Sequence, residues 1–306
     1  MIPAELRETL RDLLQDRVRF DVPLARLTSL CIGGPADAVA TPGDRTELAA
    51  LLDLCSAHRI PHHLIGNGFN TLASDAPLAG IVIQLSRLRR LEERPGGGLR
   101  ADSGVSHSQV TRFCTQRGLS GLEFAAGIPG TVGGWLAMNA GIPGREMKDV
   151  VLEVEVMSPT GCRIHHLERG ALRFVYRGLR GLAPGSVLLS ALFRVAPADP
   201  QRVRAEVDAL LERRAATQPL NVRSCGSVFK NPPGDYAGRL IESVGLKGYR
   251  VGGAEISPLH ANFITNTGGA SASDVFALIS EARRRVRERT GARLENEVRI
   301  LGGESR

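Results

Sequence analysis

A short segment near residue 230 combines three side chains that can do chemistry. Ser227, Lys230 and Asn231 supply a hydroxyl, a cation and an amide within five residues, and Pro232 ends the element. No histidine adjoins the serine, and the segment lacks the Gly-x-Ser-x-Gly pattern of hydrolases, so a nucleophilic serine is not indicated. A hydroxyl can, however, protonate a strongly basic carbanion or enolate that forms beside it. The segment is therefore either a proton-donor site or a strand edge with a capping serine.

Two other candidates are charged residues beside apolar neighbours on predicted strands or strand ends. Arg177 follows Tyr176, and Glu297 precedes Arg299 by two positions. Because the side chains of a strand alternate between its faces, Glu297 and Arg299 share one face. Such groups are usually solvated at the surface, but if they face inward they can balance each other or a ligand.

Two glycine-rich loops are the next candidates, one at residues 66–70 and the other at 127–134. Glycines let backbone N–H groups approach a phosphate closely, but they also occur in ordinary tight turns. The loops lack both the Gly-Lys-Ser/Thr of a Walker loop and the Gly-x-Gly-x-x-Gly pattern of a Rossmann loop. If they bind a nucleotide, the fold must be a different one.

Metal and disulfide chemistry are not indicated. The histidines at 62–63 and 165–166 are adjacent pairs whose side chains diverge on a strand, and no further ligand is suitably spaced, so we expect no metal site. Five cysteines at wide, irregular spacing fit reduced thiols better than a disulfide framework. His260 is the histidine with a loop context, and it is a candidate for lining a pocket.

The elements that must hold these residues follow from apolar periodicity and turn signals. Helices are predicted at residues 6–14, 44–58, 106–117 and 200–217, with a C-terminal helix whose apolar stripe runs from Val275 to Val286. Extended segments are predicted at 22–30, 63–65, 81–85, 150–157, 163–166, 186–195 and 297–301. The glycine-dense stretch 121–144 cannot support a long regular element. A composition break at 196–200 predicts a domain boundary near residue 198.

Length and composition limit the class of protein. The chain has 306 residues, of which 42% are hydrophobic and 23% charged, enough for roughly two folded domains. It has no run of roughly 20 apolar residues, and its acidic N-terminal stretch is unlike a signal peptide, so we expect a cytoplasmic location. The net charge of +7 suits either a phosphate-rich ligand or a nucleic acid.

Taken together, these segments resemble the UDP-N-acetylenolpyruvoylglucosamine reductase family from about residue 24 to residue 302. About 50 positions separate Arg177 from Ser227, which suits the shorter subclass that lacks a tyrosine-bearing loop. The motifs that carry the resemblance are Gly-Gly-Pro-Ala-Asp at 33–37, the loop 66–70 followed by Ser74-Asp75, the loop 127–134, Met-Asn-Ala-Gly at 138–141, Tyr176-Arg177, Gly-Ser-Val-Phe-Lys-Asn-Pro at 226–232, His-Ala-Asn-Phe at 260–263, and Glu-Val-Arg at 297–299.

The resemblance implies an α+β fold. It consists of an FAD-binding region of the PCMH or vanillyl-alcohol-oxidase type and a smaller α/β substrate-binding domain. The expected organisation is an N-terminal helix at 1–20, the FAD-binding region at 21–198 and the substrate domain at 199–306, with the last strand returning to the flavin site. The implied cofactors are non-covalent FAD and NADPH. The implied reaction reduces the enolpyruvyl group of UDP-N-acetylglucosamine enolpyruvate to give UDP-N-acetylmuramate for peptidoglycan synthesis.

The resemblance also assigns roles to individual residues. Ser227 corresponds to the proton donor, Arg177 to the group that holds the substrate carboxylate, and Glu297 to the acid that stabilises the enolate. The implied substrate-binding residues are Tyr176, Lys230, Asn231, His260 and Asn262. The implied FAD-binding residues are Gly66, Asn67, Gly68, Phe69, Asn70, Gly127, Ile128, Pro129, Gly130, Thr131, Gly133 and Gly134.

Three positions depart from the family pattern, and two alternative functions stay open. Phe69 and Leu179 stand where the family often has serine, and Trp135 stands where a small residue is usual. One alternative is another FAD oxidoreductase or oxidase of the same binding fold. The other is a basic nucleic-acid-binding protein that uses the arginine-rich C-terminal helix. With the reductase function, a UDP-sugar is the expected partner, with neither nucleic acid nor membrane.

Overall fold

A computed structural model describes residues 2–303 of the chain. The α-helices within this range are α1 Ala4–Leu14, α2 Arg45–Ala57, α3 His107–Arg117, α4 Val132–Met138, α5 Pro200–Thr217, α6 Ala237–Ser243 and α7 Ala272–Thr290. The first half of the strands comprises β1 Val18–Pro23, β2 Pro35–Ala40, β3 His62–Ile65, β4 Thr71–Ala73, β5 Leu78–Gln84, β6 Leu91–Arg94, β7 Gly98–Asp102, β8 Leu119–Ser120, β9 Gly141–Ile142 and β10 Arg145–Glu146. The second half comprises β11 Val151–Met157, β12 Ile164–Glu168, β13 Arg173–Val175, β14 Gly178–Arg180, β15 Val187–Arg194, β16 Ala196–Pro197, β17 Ser224–Ser227, β18 Arg250–Val251, β19 Ala254–Ile256, β20 Phe263–Asn266 and β21 Arg299–Leu301.

The helices begin at capping residues that satisfy their first backbone N–H groups. The Asp44 carboxylate accepts hydrogen bonds from the N–H groups of residues 46 and 47 at the start of α2. Ser106 and Ser271 form capping boxes with residues three positions later, at the starts of α3 and α7. Gly118 and Gly291 then end α3 and α7 in the left-handed conformation. These local signals explain why the predicted helix positions are confirmed.

The segment predicted to be extended from residue 22 to residue 30 is only partly so. β1 ends at Pro23, and Leu24–Arg26 forms a 3₁₀ turn. The Leu24 N–H donates to the Gly34 carbonyl, so the chain folds back on itself instead of continuing as a strand. The prediction of a strand there was wrong beyond Pro23 because this long-range hydrogen bond lies outside any local sequence pattern.

The described chain forms two compact units, each made of three chain segments. Within the described residues, the first unit contains 2–20, 38–66 and 79–213, and the second contains 21–37, 67–78 and 214–303. The division predicted near residue 198 therefore falls inside the last segment of the first unit. Composition along the chain does not reveal such interleaving, because each unit is assembled from pieces that are distant in sequence.

The first unit is built around an antiparallel sheet in the order β12-β11-β15-β7-β6. Its apolar face packs on α3 and α4 around Phe193 and Trp135, which are almost fully buried. A four-stranded sheet in the order β1-β2-β5-β3 contributes Ala38, Ile81 and Ile83 to a separate cluster with α2. These two cores fix the loops that follow β3 and α3.

The second unit is built around a sheet in the order β17-β20-β19-β18, with α6 and α7 contributing to its core. The apolar stripe of α7 is buried from Val275 to Val286, as predicted. β21 pairs in parallel with β4, so that Arg299 lies opposite Thr71. This pairing brings the end of the chain next to the glycine loop that precedes β4.

The mixture of helices with largely antiparallel sheets confirms the α+β class. Among residues 2–303, no helix is long and apolar enough to cross a membrane. The five cysteines all lie within the described residues, and none of them forms a disulfide bond.

Candidate active site

Ser227 ends β17 at a bulge in the second unit. Between Ser224 and Ser227, three steps along β17 match only two along β20, where Thr265 and Phe263 are the partners. Gly226, inside the bulge, has φ of +73°, a conformation that glycine adopts without strain. A bulge redirects the side chains of a strand, and Ser227 is left half-buried. The positive φ of Gly226 therefore allows the bulge that orients the Ser227 side chain, the candidate proton donor.

Asn262 holds the backbone that follows Ser227. Its Oδ1 accepts from the Phe229 N–H at 2.9 Å, and its Nδ2 donates to the Phe229 carbonyl at 2.8 Å. Its own carbonyl accepts from the Val228 N–H at 2.9 Å. Asn262 is 4% exposed, so these bonds are shielded from water. These contacts show that Asn262 positions the backbone after Ser227. Its role as a substrate ligand stays a prediction.

Glu297 lies against the same backbone. The N–H groups of Glu297 and Val298 both donate to the Val228 carbonyl, at 2.8 and 3.2 Å. The Glu297 carbonyl accepts from Asn70 Nδ2 at 3.2 Å, and the Arg299 N–H donates to the Asn70 carbonyl at 3.1 Å. Segments 226–231 and 294–298, called here the serine–glutamate segments, therefore cross beside Asn70. The second unit thus brings Ser227, Glu297 and Asn70 together.

The glycine loop that contains Asn70 is also tied to β17. Ser29 Oγ lies 2.6 Å from the Ser224 carbonyl and 3.0 Å from the Gly68 carbonyl. Gly68 has φ of +68°, and a Cβ added to it would come within 2.0 Å of the Leu27 carbonyl oxygen. Only glycine therefore fits the loop at this point. Ser29 was not predicted, because a single serine in a loop carries no recognisable pattern.

The predicted substrate residues Lys230 and Asn231 have partners within the second unit. The Lys230 N–H donates to the Glu295 carbonyl at 2.9 Å, and its ammonium lies 3.3 Å from the Glu295 carboxylate. Asn231 Oδ1 accepts from the Ala237 N–H at 3.0 Å at the start of α6. Lys230 thus extends the crossing of the serine–glutamate segments, while Asn231 fixes the loop that leads into α6.

His260 packs against β20. Its Nδ1 accepts from the Asn262 N–H at 3.2 Å, and its ring contacts Phe263 edge-on with 4.9 Å between ring centres. Burial lowers the pKa of His260, which favours the neutral ring that this hydrogen bond requires. His260 therefore supports Asn262, and a direct role in substrate binding stays a prediction.

Arg177 belongs to the first unit, in the hairpin loop between β13 and β14. Val175 pairs with Gly178, so Tyr176 and Arg177 are the two loop residues. Arg177 has φ of +54°, a left-handed conformation that costs a non-glycine residue roughly 1–2 kcal/mol. Its side chain is 19% exposed, and its guanidinium lies 5.0 Å from the centre of the Tyr176 ring. Strain of this kind clusters at functional sites, which fits the predicted role of Arg177.

Two polar residues face the arginine turn, as we call Tyr176 and Arg177. Arg177 Nη1 lies 4.0 Å from a carboxylate oxygen of Glu146, and its Nη2 lies 3.5 Å from the Gly141 carbonyl. Asn139, which is fully buried, donates to the other Glu146 oxygen at 2.9 Å and to the Val175 carbonyl at 3.1 Å. Asn139 thus fixes both the arginine turn and its acidic neighbour.

The cofactor-binding residues predicted at 127–134 form the loop before α4 and the first residues of that helix, in the first unit. Thr131 caps the helix, with its Oγ1 3.4 Å from the Gly134 N–H. Trp135 is buried and donates from Nε1 to the Ile128 carbonyl at 3.0 Å. The departure from the family pattern at Trp135 is thus accommodated in the core, where it anchors the loop.

The same region fits the phosphate groups of a dinucleotide. A Cβ at Gly66 would lie 2.9 Å from Thr131 Oγ1, and one at Gly133 would lie 2.9 Å from the Ser103 Cβ. By contrast, a Cβ at Gly130 would meet no atom of the chain within 4 Å. The buried Ser103 Oγ has no hydrogen-bond partner within residues 2–303. A glycine-lined backbone beside an unsatisfied buried hydroxyl is suited to bind a cofactor through N–H and O–H donors.

The structure therefore assigns the predicted site residues to two groups. Ser227, Glu297, Lys230 and the loop 67–70 belong to the second unit, whereas Arg177, Gly66 and the loop 127–134 belong to the first. Sequence reasoning did not single out Asn139, Glu146 or Ser29. The signal for Asn139 was available in the Met-Asn-Ala-Gly motif, because asparagine readily adopts the left-handed conformation that it has at the end of α4.

Comparisons with known proteins find two matching family profiles and relatives that align over nearly the whole chain. A family profile described as "FAD binding domain" matches residues 36–166, and one described as "UDP-N-acetylenolpyruvoylglucosamine reductase, C-terminal domain" matches 218–301. A UDP-N-acetylenolpyruvoylglucosamine reductase of Geobacter metallireducens is 45% identical over 98% of this chain and 99% of its own. The chain belongs to the UDP-N-acetylenolpyruvoylglucosamine reductase family.

Further relatives support the same membership. The Anaeromyxobacter sp. (strain K) reductase is 46% identical over 96% of this chain and 90% of its own. The reductase from Thermus caldophilus has a crystal structure, and its sequence is 34% identical to this chain. The match covers 93% of this chain and 100% of that chain, and the two structures superpose with a TM-score of 0.81. The predicted family and fold are therefore confirmed: an FAD-binding region and a family-specific C-terminal domain.

Proposed function

We propose that this chain is an NADPH-dependent flavoenzyme that reduces UDP-N-acetylglucosamine enolpyruvate to UDP-N-acetylmuramate for peptidoglycan synthesis. Near full-length similarity to reductases of this name carries the proposal. The geometry adds a hydroxyl and a carboxylic acid at the crossing of the serine–glutamate segments. FAD, when bound, supplies hydride transfer from NADPH to the enolpyruvyl group.

The second unit supplies the proton and the acid. Once hydride has been delivered to the terminal carbon of the enolpyruvyl group, negative charge develops at C2 and its carboxylate, and Ser227 would give its hydroxyl proton to C2, which is then basic enough to accept it. Glu297, in its protonated form, donates a hydrogen bond to the substrate carboxylate and stabilises the charge that develops there. Lys230 and Asn231 bind the UDP portion, and His260 and Asn262 also bind the substrate.

Arg177 supplies the carboxylate clamp, and two glycine loops supply the cofactor cradle. Arg177 pairs with the substrate carboxylate through a planar, permanently charged guanidinium, and Tyr176 borders it. The glycine loops at 66–70 and 127–134 hold the cofactor pyrophosphate. We assign cofactor binding to residues 21–198 and substrate binding to 199–306, with β21 returning the last residues to the loop 66–70. The profile matches at 36–166 and 218–301 support this division.

The location and partners follow from charge and thiol chemistry. We assign the protein to the cytoplasm, where five free cysteines stay reduced. Its excess positive charge serves two polyanionic small molecules, NADPH and the UDP-sugar, and not a nucleic acid. In support, Arg284 of the arginine-rich α7 is paired with Glu281 at 2.8 Å and with Glu288 at 2.7 Å.

One experiment tests the whole proposal. The purified protein should show a flavin absorbance spectrum, lose it when NADPH is added without oxygen, and recover it when UDP-N-acetylglucosamine enolpyruvate follows. The product should be UDP-N-acetylmuramate. A colourless protein, or one whose reduced flavin is reoxidised by oxygen but not by this substrate, would overturn the proposal. Flavin that stays attached to the denatured chain would instead indicate a covalent oxidase.

A further inference from the structure

Arg283 lies in α7 and contacts the chain just before Glu297. Its Nε donates to the Leu294 carbonyl at 3.3 Å, and its Nη2 donates to Asn296 Oδ1 at 3.0 Å. Its guanidinium also lies 6.0 Å from the centre of the Phe229 ring. One side chain therefore reaches both serine–glutamate segments.

The segment before Glu297 has little structure of its own. Residues 292–295 form neither helix nor strand, and Asn296 makes a single bridge to Phe229. Its position thus depends on individual hydrogen bonds, among them those from Arg283 and the bond between the Lys230 N–H and the Glu295 carbonyl. Loss of the Arg283 contacts would free the residue next to Glu297.

The element that carries Arg283 is firmly anchored. α7 buries its apolar stripe in the core of the second unit. The Asp75 carboxylate accepts from the N–H groups of Ala272 and Ser273 at 2.8 and 3.1 Å, which fixes the start of the helix. Because α7 is firmly anchored, the contacts of Arg283 can hold residues 294–298 in one position.

We propose that Arg283 is a positioning residue that sets the place of the Glu297 carboxyl relative to Ser227. Arginine suits this role because its planar fork donates in two directions at once, to a backbone carbonyl and to a side-chain amide. A lysine can reach one acceptor but cannot reproduce both bonds. The inference rests on the proposed function, since the placement of Glu297 affects turnover only if Glu297 acts on the substrate.

The test compares R283Q with R284Q in the full-length, flavin-loaded protein. Arg284 is the adjacent residue of α7, and its ion pairs with Glu281 and Glu288 lie at the surface, so R284Q is a matched control. R283Q should slow flavin reoxidation by the enolpyruvyl substrate about 10- to 100-fold, as expected for a small misplacement of a reacting group. Flavin reduction by NADPH and the substrate dissociation constant should stay near those of R284Q. R283K should recover part of the lost rate.

A second measurement does not depend on activity. Hydrogen exchange of the Glu297 and Val298 amides, which donate to Val228, should be faster in R283Q than in R284Q. Equal exchange in the two variants, or equal loss of both half-reactions in R283Q, would overturn the positioning role. If the unmodified protein reduces no enolpyruvyl substrate, the proposed function fails, while the exchange measurement still decides whether Arg283 holds the segment.

Discussion

The arginine turn of the first unit and the serine–glutamate segments of the second are held in different ways. Ser227 and Glu297 lie next to backbone that is fixed by bonds of 2.8–3.2 Å to Val228, Phe229 and Asn70. The arginine turn is instead a two-residue hairpin loop whose Val175 carbonyl is fixed by the Asn139 side chain at 3.1 Å, and Arg177 carries its guanidinium 3.5 Å from the Gly141 carbonyl and 4.0 Å from a Glu146 carboxylate oxygen. Its backbone, moreover, is in a strained conformation.

This difference matches the chemistry that we assign to each region. Proton transfer needs the donor within hydrogen-bond reach of the reacting atom, so a small displacement is costly. A charge acts over longer distances, so a guanidinium can attract the substrate carboxylate without an equally exact placement. We therefore expect turnover to depend more steeply on the placement of the Ser227 hydroxyl than on that of the Arg177 guanidinium.

The largest expected effect is that of S227A. Without its hydroxyl, flavin reduction by NADPH should stay fast, while reoxidation by the enolpyruvyl substrate should fall about 10²- to 10⁴-fold, the range for general acid catalysis. Rapid-mixing absorbance of the two half-reactions measures this directly. Equal slowing of both half-reactions would contradict the assignment of Ser227 to the proton.

R177K and E297Q are expected to have the next largest effects. Both should lower the second half-reaction about 10²- to 10³-fold, the usual cost of removing a preorganised donor from a developing anion. Lysine keeps the charge but loses the planar fork, and glutamine keeps the shape but loses the acid proton. Near-normal turnover of R177K would rule out the clamp. Pre-steady-state rates with each variant make the comparison.

A third prediction concerns the backbone support of Ser227. N262A leaves the Phe229 N–H and carbonyl without partners and should lower the free energy of unfolding by on the order of 2–4 kcal/mol. It should also slow the second half-reaction. N266A is the matched control, because Asn266 is a buried asparagine at the end of β20, the strand that follows Asn262, and it bonds instead to Leu30 and the loop after β20. Denaturant titration measures the loss of stability, and rapid kinetics measure the second half-reaction. If N266A slowed that half-reaction as much as N262A does, the effect would be nonspecific.

The fourth prediction sharpens the cofactor side of the first unit. G130A and G144A both place a methyl group at a positive φ where no chain atom lies within 4 Å. The strain is therefore comparable, but only Gly130 lies in the proposed cradle. FAD affinity, measured by fluorescence titration of the apoprotein, should fall at least about tenfold in G130A, a change of about 1.4 kcal/mol. Equal affinities would place the pyrophosphate elsewhere.

The smallest expected effect is on stability at low pH. Because burial lowers the pKa of His260 in the folded state, the unfolded chain binds a proton more readily. The free energy of unfolding should therefore fall as the pH drops below the usual histidine value near 6.5. H260Q should remove part of this fall, and H63Q should remove a further part because burial also lowers the pKa of His63. An unchanged pH profile in H260Q would contradict the prediction.

Local signals made much of the fold predictable. Capping residues and apolar spacing located α2, α3, α5 and α7 to within a few residues. The glycine-dense stretch was predicted to lack a long element, and its longest element is the seven-residue α4. The extended segment after Pro23 failed because its geometry depends on a bond to Gly34, which no local pattern encodes.

The candidate site was predictable as a set of motifs but not as an arrangement. The Gly-Ser-Val-Phe-Lys-Asn-Pro and Glu-Val-Arg motifs pointed to Ser227 and Glu297, yet nothing in either indicates that they share the Val228 carbonyl. The helper residues Asn139, Ser29 and Arg283 were missed. Ser29 and Arg283 act through contacts outside their own elements, and a single polar residue gives no periodic or spacing signal. The motif that contains Asn139 was visible, but it does not show that the side chain bonds to Glu146 and Val175.

The sequence by itself determined the chemical groups, the helix boundaries and the family, because residue types and capping patterns act over a few positions. Only the tertiary structure decided how the chain divides, since both compact units are assembled from three separate segments. It also decided that the last strand pairs with β4 beside the loop of Asn70, and that Arg283 reaches the segment before Glu297. Hydrogen bonds between segments distant in the chain form only when the cores bring those segments together.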